Sequence, residues 1–364
     1  MKIYISENDL RLNPTWSDAF DDIGIEISDS ISTSDNALSS DLKDIKELGI
    51  ERIGTWEYHD KLNMTKVDPV HSLDTIIPCS EDELTYFMRT HPSVFVKPRL
   101  SRAKGAGSED PIAYRTFNEV ELLTEIDDVF NFWQLQHNNG GNYVIAQYAI
   151  QEAVEGDLWY VKGVYNGVDE PQILLTTLRE VTSQEHVWLY PNNTRQLASR
   201  QIDMSDDQKE SIKILVTRFI NKIGGRGFFQ MQGKFKGSVP KLIDYTPTYP
   251  VISGLFKDSE YLDQGRVDRL MFNYAYGNGT LESLDNIDLD ISIEWCSNFD
   301  FGSDDHDTIK RRVEFIEDNG NIVRRVDRNI RENMSRYYTI MFIAKTKEEL
   351  DLKISNLSTQ VLSI

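Results

Sequence analysis

Two strand-like runs in the second half of the chain carry side chains suited to holding a metal ion. They are Gly227-Phe228-Phe229-Gln230-Met231-Gln232 and, past a turn, Lys241-Leu242-Ile243-Asp244-Tyr245-Thr246-Pro247. Hard cations such as Mg²⁺ take oxygen ligands, usually one or two from protein beside phosphates and water, and Gln232 and Asp244 supply them. Taken alone, the same residues suit a solvated strand face. A third run, Ser93-Val94-Phe95-Val96-Lys97-Pro98, delivers Lys97 just before the polar loop Ser101-Arg102-Ala103-Lys104-Gly105-Ala106-Gly107-Ser108. One ammonium followed by backbone N–H donors is an arrangement that seats and covers a phosphate. A surface lysine fits Lys97 as well. Residues 143–150 read as a buried strand running into Gln151-Glu152-Ala153-Val154, whose backbone could meet an adenine edge while Val154 packs on the ring. An ordinary strand end is the plain alternative. Arg179 and Arg226 could clamp an acyl phosphate or a carboxylate by paired hydrogen bonds, or simply pair with neighbouring acids.

Periodicity supplies the elements that must position these groups. Residues 2–6 read as a first strand and the Ser/Asp-rich stretch 28–41 as a loop or linker. A helix is expected over 42–48, a short strand over 50–54, a polar helix over 60–67 and a brief strand over 75–78. The run 81–89 is a helix with Leu84, Phe87 and Met88 on one face, and 119–135 is helical in pattern. Strands are expected over 159–165 and 172–181, joined by a loop that opens with the turn signal Asn166-Gly167. Ser205-Asp206-Asp207-Gln208 is a capping box, in which the Ser and Gln side chains satisfy exposed backbone N–H groups. It opens a helix that buries Ile212, Leu215, Val216, Phe219 and Ile223 and stops at Gly224-Gly225. A second box, Thr346-Lys347-Glu348-Glu349, follows a strand over 337–344. Strands alternating with helices indicate an α/β or α+β protein.

Composition narrows the function classes. The chain has 364 residues, 40% hydrophobic and 27% charged, and a formal net charge of −20. It is long enough for two or three lobes with a cleft between them. A field of that sign repels a phosphate backbone, so nucleic acid is disfavoured as a partner. Cys79 and Cys296 are the only cysteines, too few for a disulfide framework, and no run is long and apolar enough to span a membrane. A cytoplasmic location is the expectation. The six histidines show no metal spacing, with His186 in Glu185-His186-Val187-Trp188 the one to watch, and no Ser/His/Asp triad can be read from order alone.

In series, Asp60-Lys61, Val96-Lys97-Pro98 with its glycine loop, residues 151–156, the capped helix into 225–232 and Ile243-Asp244-Tyr245-Thr246 resemble the ATP-grasp superfamily. The likeness is to its carbamoyl-phosphate-synthetase and biotin-carboxylase branch. It covers about residues 42–280, and 337–357 is similar to that branch's closing strand and helix. The resemblance implies an α+β or α/β fold in which two α+β lobes enclose a nucleotide cleft. It divides the chain into a reduced N-terminal domain (1–60), a small lobe with a Gly-rich flap (61–155), a large lobe with the metal strands (156–280) and a C-terminal extension (281–364). It implies ATP and Mg²⁺: Lys61 and Lys97 on the phosphates, Lys104, Gly105 and Gly107 in the covering flap, and Gln151, Glu152, Ala153 and Val154 at the adenine. Asp157 lies near the ribose, beside Leu158 at the family's acid position, while Gln232, Asp244 and Thr246 take the metal positions. Arg179 and Arg226 are the candidates for the substrate. The implied function is an ATP-dependent ligase that activates a carboxylate as an acyl phosphate for attack by an amine, with small-molecule substrates and oligomeric state open. The alternative is a degenerate relative that binds nucleotide or a protein partner without turnover, because Asp244-Tyr245-Thr246-Pro247-Thr248 stands where the family has Glu-x-Asn-x-Arg. An unrelated α/β protein with chance matches is the third reading.

Overall fold

The computed structural model of the chain describes residues 1–5, 7, 10, 15–38, 61–102, 117–125, 142–180, 200–202, 204–247, 264–277, 279, 292–299, 305–319, 322–325, 338–361, 363 and 364. The expected helix 42–48, the strand 50–54, the glycine loop with Lys104, Gly105 and Gly107, and His186 lie outside these residues. The chain opens with β1 (Lys2–Ile5), helix α1 (Thr15–Asp22), β2 (Glu26–Ser28) and β3 (Asn36–Leu38). β1 is central and pairs in parallel with both neighbours. The segment 28–41 is therefore not all loop, as its composition suggested: it contains β3. Its serines instead close the turn between β2 and β3, Ser28 and Ser34 each donating a hydroxyl to the Ser30 carbonyl. Trp16, Ala19 and Phe20, spaced i, i+3, i+4, form the buried face of α1.

A second sheet follows. α2 (Lys61–Val67), β4 (Thr75–Ile76), α3 (Glu81–Thr90), β5 (Val94–Arg102) and β6 (Asn142–Glu152) build an antiparallel sheet in the order β4-β6-β5. Ser80 caps α3 by accepting from the Glu83 N–H. Leu84, Phe87 and Met88 are buried on α3 as the pattern predicts, and Val94 and Val96 are buried on β5.

The largest sheet is five-stranded and antiparallel: β7 (Leu158–Tyr165), β8 (Gln172–Glu180), β9 (Arg200–Ile202), β10 (Gly227–Lys236) and β11 (Val239–Thr246), in the order β11-β10-β7-β8-β9. Helix α4 (Asp206–Ile223) covers one face. Its Ile212, Leu215, Val216, Phe219 and Ile220 share a core with Trp159, Val161, Phe229, Met231 and Tyr245. Each such side chain contributes about 1.5–3 kcal/mol on burial, before the cost of ordering the chain. The Ser205–Gln208 capping box forms in both directions. Ser205→Ala is expected to lower stability by about 1 kcal/mol, read from the urea midpoint.

Helix α5 (Gln264–Tyr276) lies on the opposite face. Val267, Met271, Phe272 and Tyr276 form one cluster with Val164 and Phe228 of the sheet and with Ile3, Ile5, Trp16 and Phe20 of the N-terminal layer. The Phe272 ring centroid is 4.2 Å from that of Phe20 and 5.6 Å from that of Phe228. A last sheet, β12 (Ser292–Phe299), β13 (Ile322–Arg325) and β14 (Tyr338–Ala344), is antiparallel with β14 central. α6 (His306–Asp318) and α7 (Lys347–Val361) bury Ile309, Ile316, Leu350 and Ile354 in a core with Phe342. At the expected second box, Thr346 accepts from the Glu349 N–H, while the Glu349 carboxylate takes the Lys345 N–H. Among the described residues no helix is long and apolar enough to cross a membrane.

Candidate functional site

Residues directly opposite on neighbouring strands share a face of the sheet, so register locates the site. On the side away from α4, Asp244, Gln232, Tyr160 and Thr177 form one row across β11, β10, β7 and β8. Thr246, Gln230 and Lys162 form the next. All seven are half-buried. α5 covers the neighbouring part of this face at Val164 and Phe228. The β10–β11 register shifts between Gln232 and Gly233, a bulge that re-aims the strand beside the two candidate ligands. A Cβ at Gly233 would run into the Lys241 carbonyl and the Trp159 ring. Gly233→Ala is therefore expected to cost about 2 kcal/mol, measured by denaturant unfolding.

Lys61 is brought to the same rows from far away in sequence. It is the first residue of α2, is only 4% exposed, and its Nζ lies 4.0 Å from Asp244 Oδ1. Met64 and Val67 sink into the core under the large sheet, and Lys61, one turn before Met64, is carried with them. The other end of α2 is tied down too: Lys222 of α4 donates to the Val67 carbonyl at 2.6 Å and Ser72 to the Met64 carbonyl at 3.0 Å. β11 is joined to the same region, with Leu242 bridging Ser72 and Lys241 donating to the Val70 carbonyl at 2.8 Å.

The expected adenine-reading segment divides. Successive strand residues point to opposite sides, and Gln151 and Glu152 do so. Gln151 is 1% exposed and donates through Nε2 to Thr75 Oγ1 at 3.3 Å. Thr75 spends its only hydroxyl proton on the Leu73 carbonyl, so the Gln151 amide cannot be reversed. Its Oε1 is buried and has no donor among the described residues. A buried acceptor in that state costs free energy that an exocyclic amine of a bound base would recover. Glu152 is engaged elsewhere: its carboxylate accepts from the Asp74 N–H and from Lys236 Nζ, and its own N–H goes to the Asp74 carbonyl. The Ala153 N–H is likewise taken, by the Ser93 carbonyl. These two N–H groups are not available to a base edge, contrary to the sequence-based expectation. Val154 is buried.

The remaining candidates scatter. Lys97 stands opposite Ala149 in the β5–β6 register, and Arg179 opposite Leu158 in the β7–β8 register. Asp157 is half-buried just before β7, after Gly156, whose φ of 130° and approach to the Phe235 carbonyl leave no room for a side chain. Arg226 is exposed beside Gly167 at the far end of β10, about 20 Å from Gln232 along the extended strand, and is not brought to the polar rows. Sequence reasoning missed Tyr160, Lys162 and Gln230. Their signal was present, because Tyr160-Val161-Lys162 and Gln230-Met231-Gln232 both alternate polar with apolar.

No protein-family model and no curated protein matches the chain in sequence. Solved structures do match in shape. A carboxyaminoimidazole ribonucleotide synthase from Aspergillus clavatus complexed with ATP aligns over 100% of this chain and 98% of its own, with TM-score 0.63 and 11% identity. The biotin carboxylase domain of Hydrogenobacter thermophilus 2-oxoglutarate carboxylase, in complex with MgADP, ADP and bicarbonate, aligns over 98% and 89%, with TM-score 0.59 and 13% identity. An L-amino acid ligase from Bacillus licheniformis aligns over 98% and 96%, with TM-score 0.58 and 10% identity.

Proposed function

We propose that this chain, which has the ATP-grasp fold, is an ATP-dependent ligase that activates a carboxylate for attack by an amine. The observation that carries the reading is the meeting of Lys61 with Asp244, itself paired across β10–β11 with Gln232. In that arrangement a cation and a pair of oxygen donors stand together on one sheet face, which suits a nucleotide phosphate and its Mg²⁺. Bound Mg²⁺ would neutralise the phosphates and spread the charge that develops on phosphoryl transfer. Lys61 would bind a phosphate oxygen, Gln232 and Asp244 with Thr246 would hold the ion, and Gln151 Oε1 would accept from the adenine amine. Lys97, the Lys104–Gly107 flap and Asp157 are assigned to the phosphates and ribose, and Arg179 to the acid substrate. The ATP, MgADP and bicarbonate complexes of the similar structures support ATP and Mg²⁺ as ligands and a small acid as substrate. The limits 1–60, 61–155, 156–280 and 281–364 complete the proposal.

The test is ADP release by the purified protein against pools of amino and carboxylic acids with Mg²⁺, alongside calorimetric ATP titration. Absence of both turnover and ATP binding across broad pools would sink the reading. A second reading, nucleotide binding without turnover, is favoured by one feature: Gln232, Asp244 and Thr246 contain a single carboxylate, a sparse set for a divalent ion. ATP binding that requires Mg²⁺ and loses that requirement in Asp244→Ala argues against it. Replacing the orphaned acceptor gives an independent check. Gln151→Met is expected to leave stability within about 1 kcal/mol while cutting the preference for ATP over GTP about tenfold, read by competition binding.

A further inference from the structure

On the other side of β6 from Gln151, three side chains from separate parts of the sequence converge. Asp74, His91 and Glu152 each offer one ligand atom, and these atoms all lie within 4.8 Å of one another. Glu152 is 3% exposed, and Asp74 holds it by donating its N–H to Oε1 at 3.2 Å. The imidazole of His91 is fixed from behind. It stacks on Phe87 with ring centroids 4.2 Å apart, and its Nδ1 lies 3.1 Å from the Phe87 carbonyl, an atom that can only accept. Thr90 sends its hydroxyl proton to that same carbonyl. Nδ1 also lies 3.0 Å from Thr90 Oγ1, and with that hydroxyl turned to the carbonyl it carries the hydrogen, so that Nε2 faces Asp74 Oδ2 at 3.0 Å with its lone pair. In that tautomer a lone pair and a carboxylate stand close enough to share one cation. A carbonyl that fixes the tautomer of a ligating imidazole is the usual outer partner at histidine metal sites.

The geometry points to a Zn²⁺-class divalent metal site formed by His91 Nε2 and the carboxylates of Asp74 and Glu152, behind the nucleotide-facing strand. Two donors about 2.1 Å from one tetrahedral ion stand about 3.4 Å apart, close to the His91–Asp74 separation, and the Glu152 carboxylate completes three protein ligands. The site is separate from Gln232 and Asp244, and its assignment does not depend on the chain being a ligase. Lys236 Nζ holds Glu152 Oε2 at 2.6 Å but is half-exposed and can swing away. The ion and Lys236 compete for one carboxylate. Metal binding would thus exchange a contact between the β10 hairpin and β6 for one contained within the smaller sheet, one residue from Gln151.

The experiment is titration of the full chain with Zn²⁺ against a chromophoric chelator. One equivalent is expected to bind at this site, at least about tenfold more weakly in His91→Gln and in Asp74→Asn. Lys236→Met is expected to tighten it, which no purely structural ion-pair network would do. Asp74 is exposed, so its variant stays informative should His91→Gln fail to fold. Equal affinity in the wild type and the two ligand variants, or imidazole NMR signals of His91 that respond to pH but not to Zn²⁺, would overturn the assignment in favour of a proton.

Discussion

Asp244→Asn is expected to lower Mg²⁺-dependent ADP formation about 1,000-fold while leaving the fold intact, because it removes the only carboxylate of the Gln232–Asp244–Thr246 set and keeps its shape. The amide would still fill the half-buried position on β11 opposite Gln232. What it loses is the charge that makes an oxygen donor competitive for a divalent ion against water. The signature is a split readout. Nucleotide still binds, the dependence of that binding on Mg²⁺ disappears, and the circular dichroism spectrum and urea midpoint stay near the wild-type values. Unchanged turnover would place the metal elsewhere and remove the support for this sheet face as the reaction centre.

Lys61→Met is expected to lower turnover about 100-fold, with most of the loss in the apparent affinity for ATP. Methionine preserves the unbranched stem within the 4%-exposed site, so the change isolates the ammonium. Arginine should not rescue it, since a planar guanidinium is too large for the space a buried lysine tip occupies. Asp244 Oδ1, the atom that faces Lys61, is itself buried, so the variant also carries a stability cost of about 1–3 kcal/mol, read from the urea midpoint. The two substitutions act on groups facing each other at 4.0 Å, and the double variant should be little worse than Asp244→Asn alone. Additive losses would mean that the two residues serve separate steps.

The large sheet was legible because its signals are local. Alternation in Trp159–Tyr165 and Phe228–Gln232, the Asn166-Gly167 turn and the Ser205 capping box each specify structure within a few residues. The Asn166 carboxamide indeed accepts from the N–H groups of Val168 and Asp169, closing the turn as expected. The two strands carrying Gln232 and Asp244 were legible from the same alternation, but the direct pairing of these residues, beside a bulge, was not. Nor was the arrival of Lys61 beside them, since it depends on α2 docking under a sheet assembled much later in the chain. Gln151 and Glu152 were read as one segment, although a strand's period of two already separates their side chains. α1 escaped notice because its apolar face spans only eight residues, and β3 because serines that close a turn look, in composition, like a linker. Asp74, His91 and Glu152 share no spacing at all, and only the pairing of β4 with β6 and the end of α3 bring them together.

The core that Phe20, Phe228 and Phe272 share has a consequence for how the molecule comes apart. The N-terminal strands and the five-stranded sheet are distant in sequence, yet neither can open without exposing the aromatic surface of the other. They should melt as one cooperative unit. Amide hydrogens in β1 and in β10 are expected to exchange with the same free energy of opening, and a chain cut after residue 60 would lose both layers together.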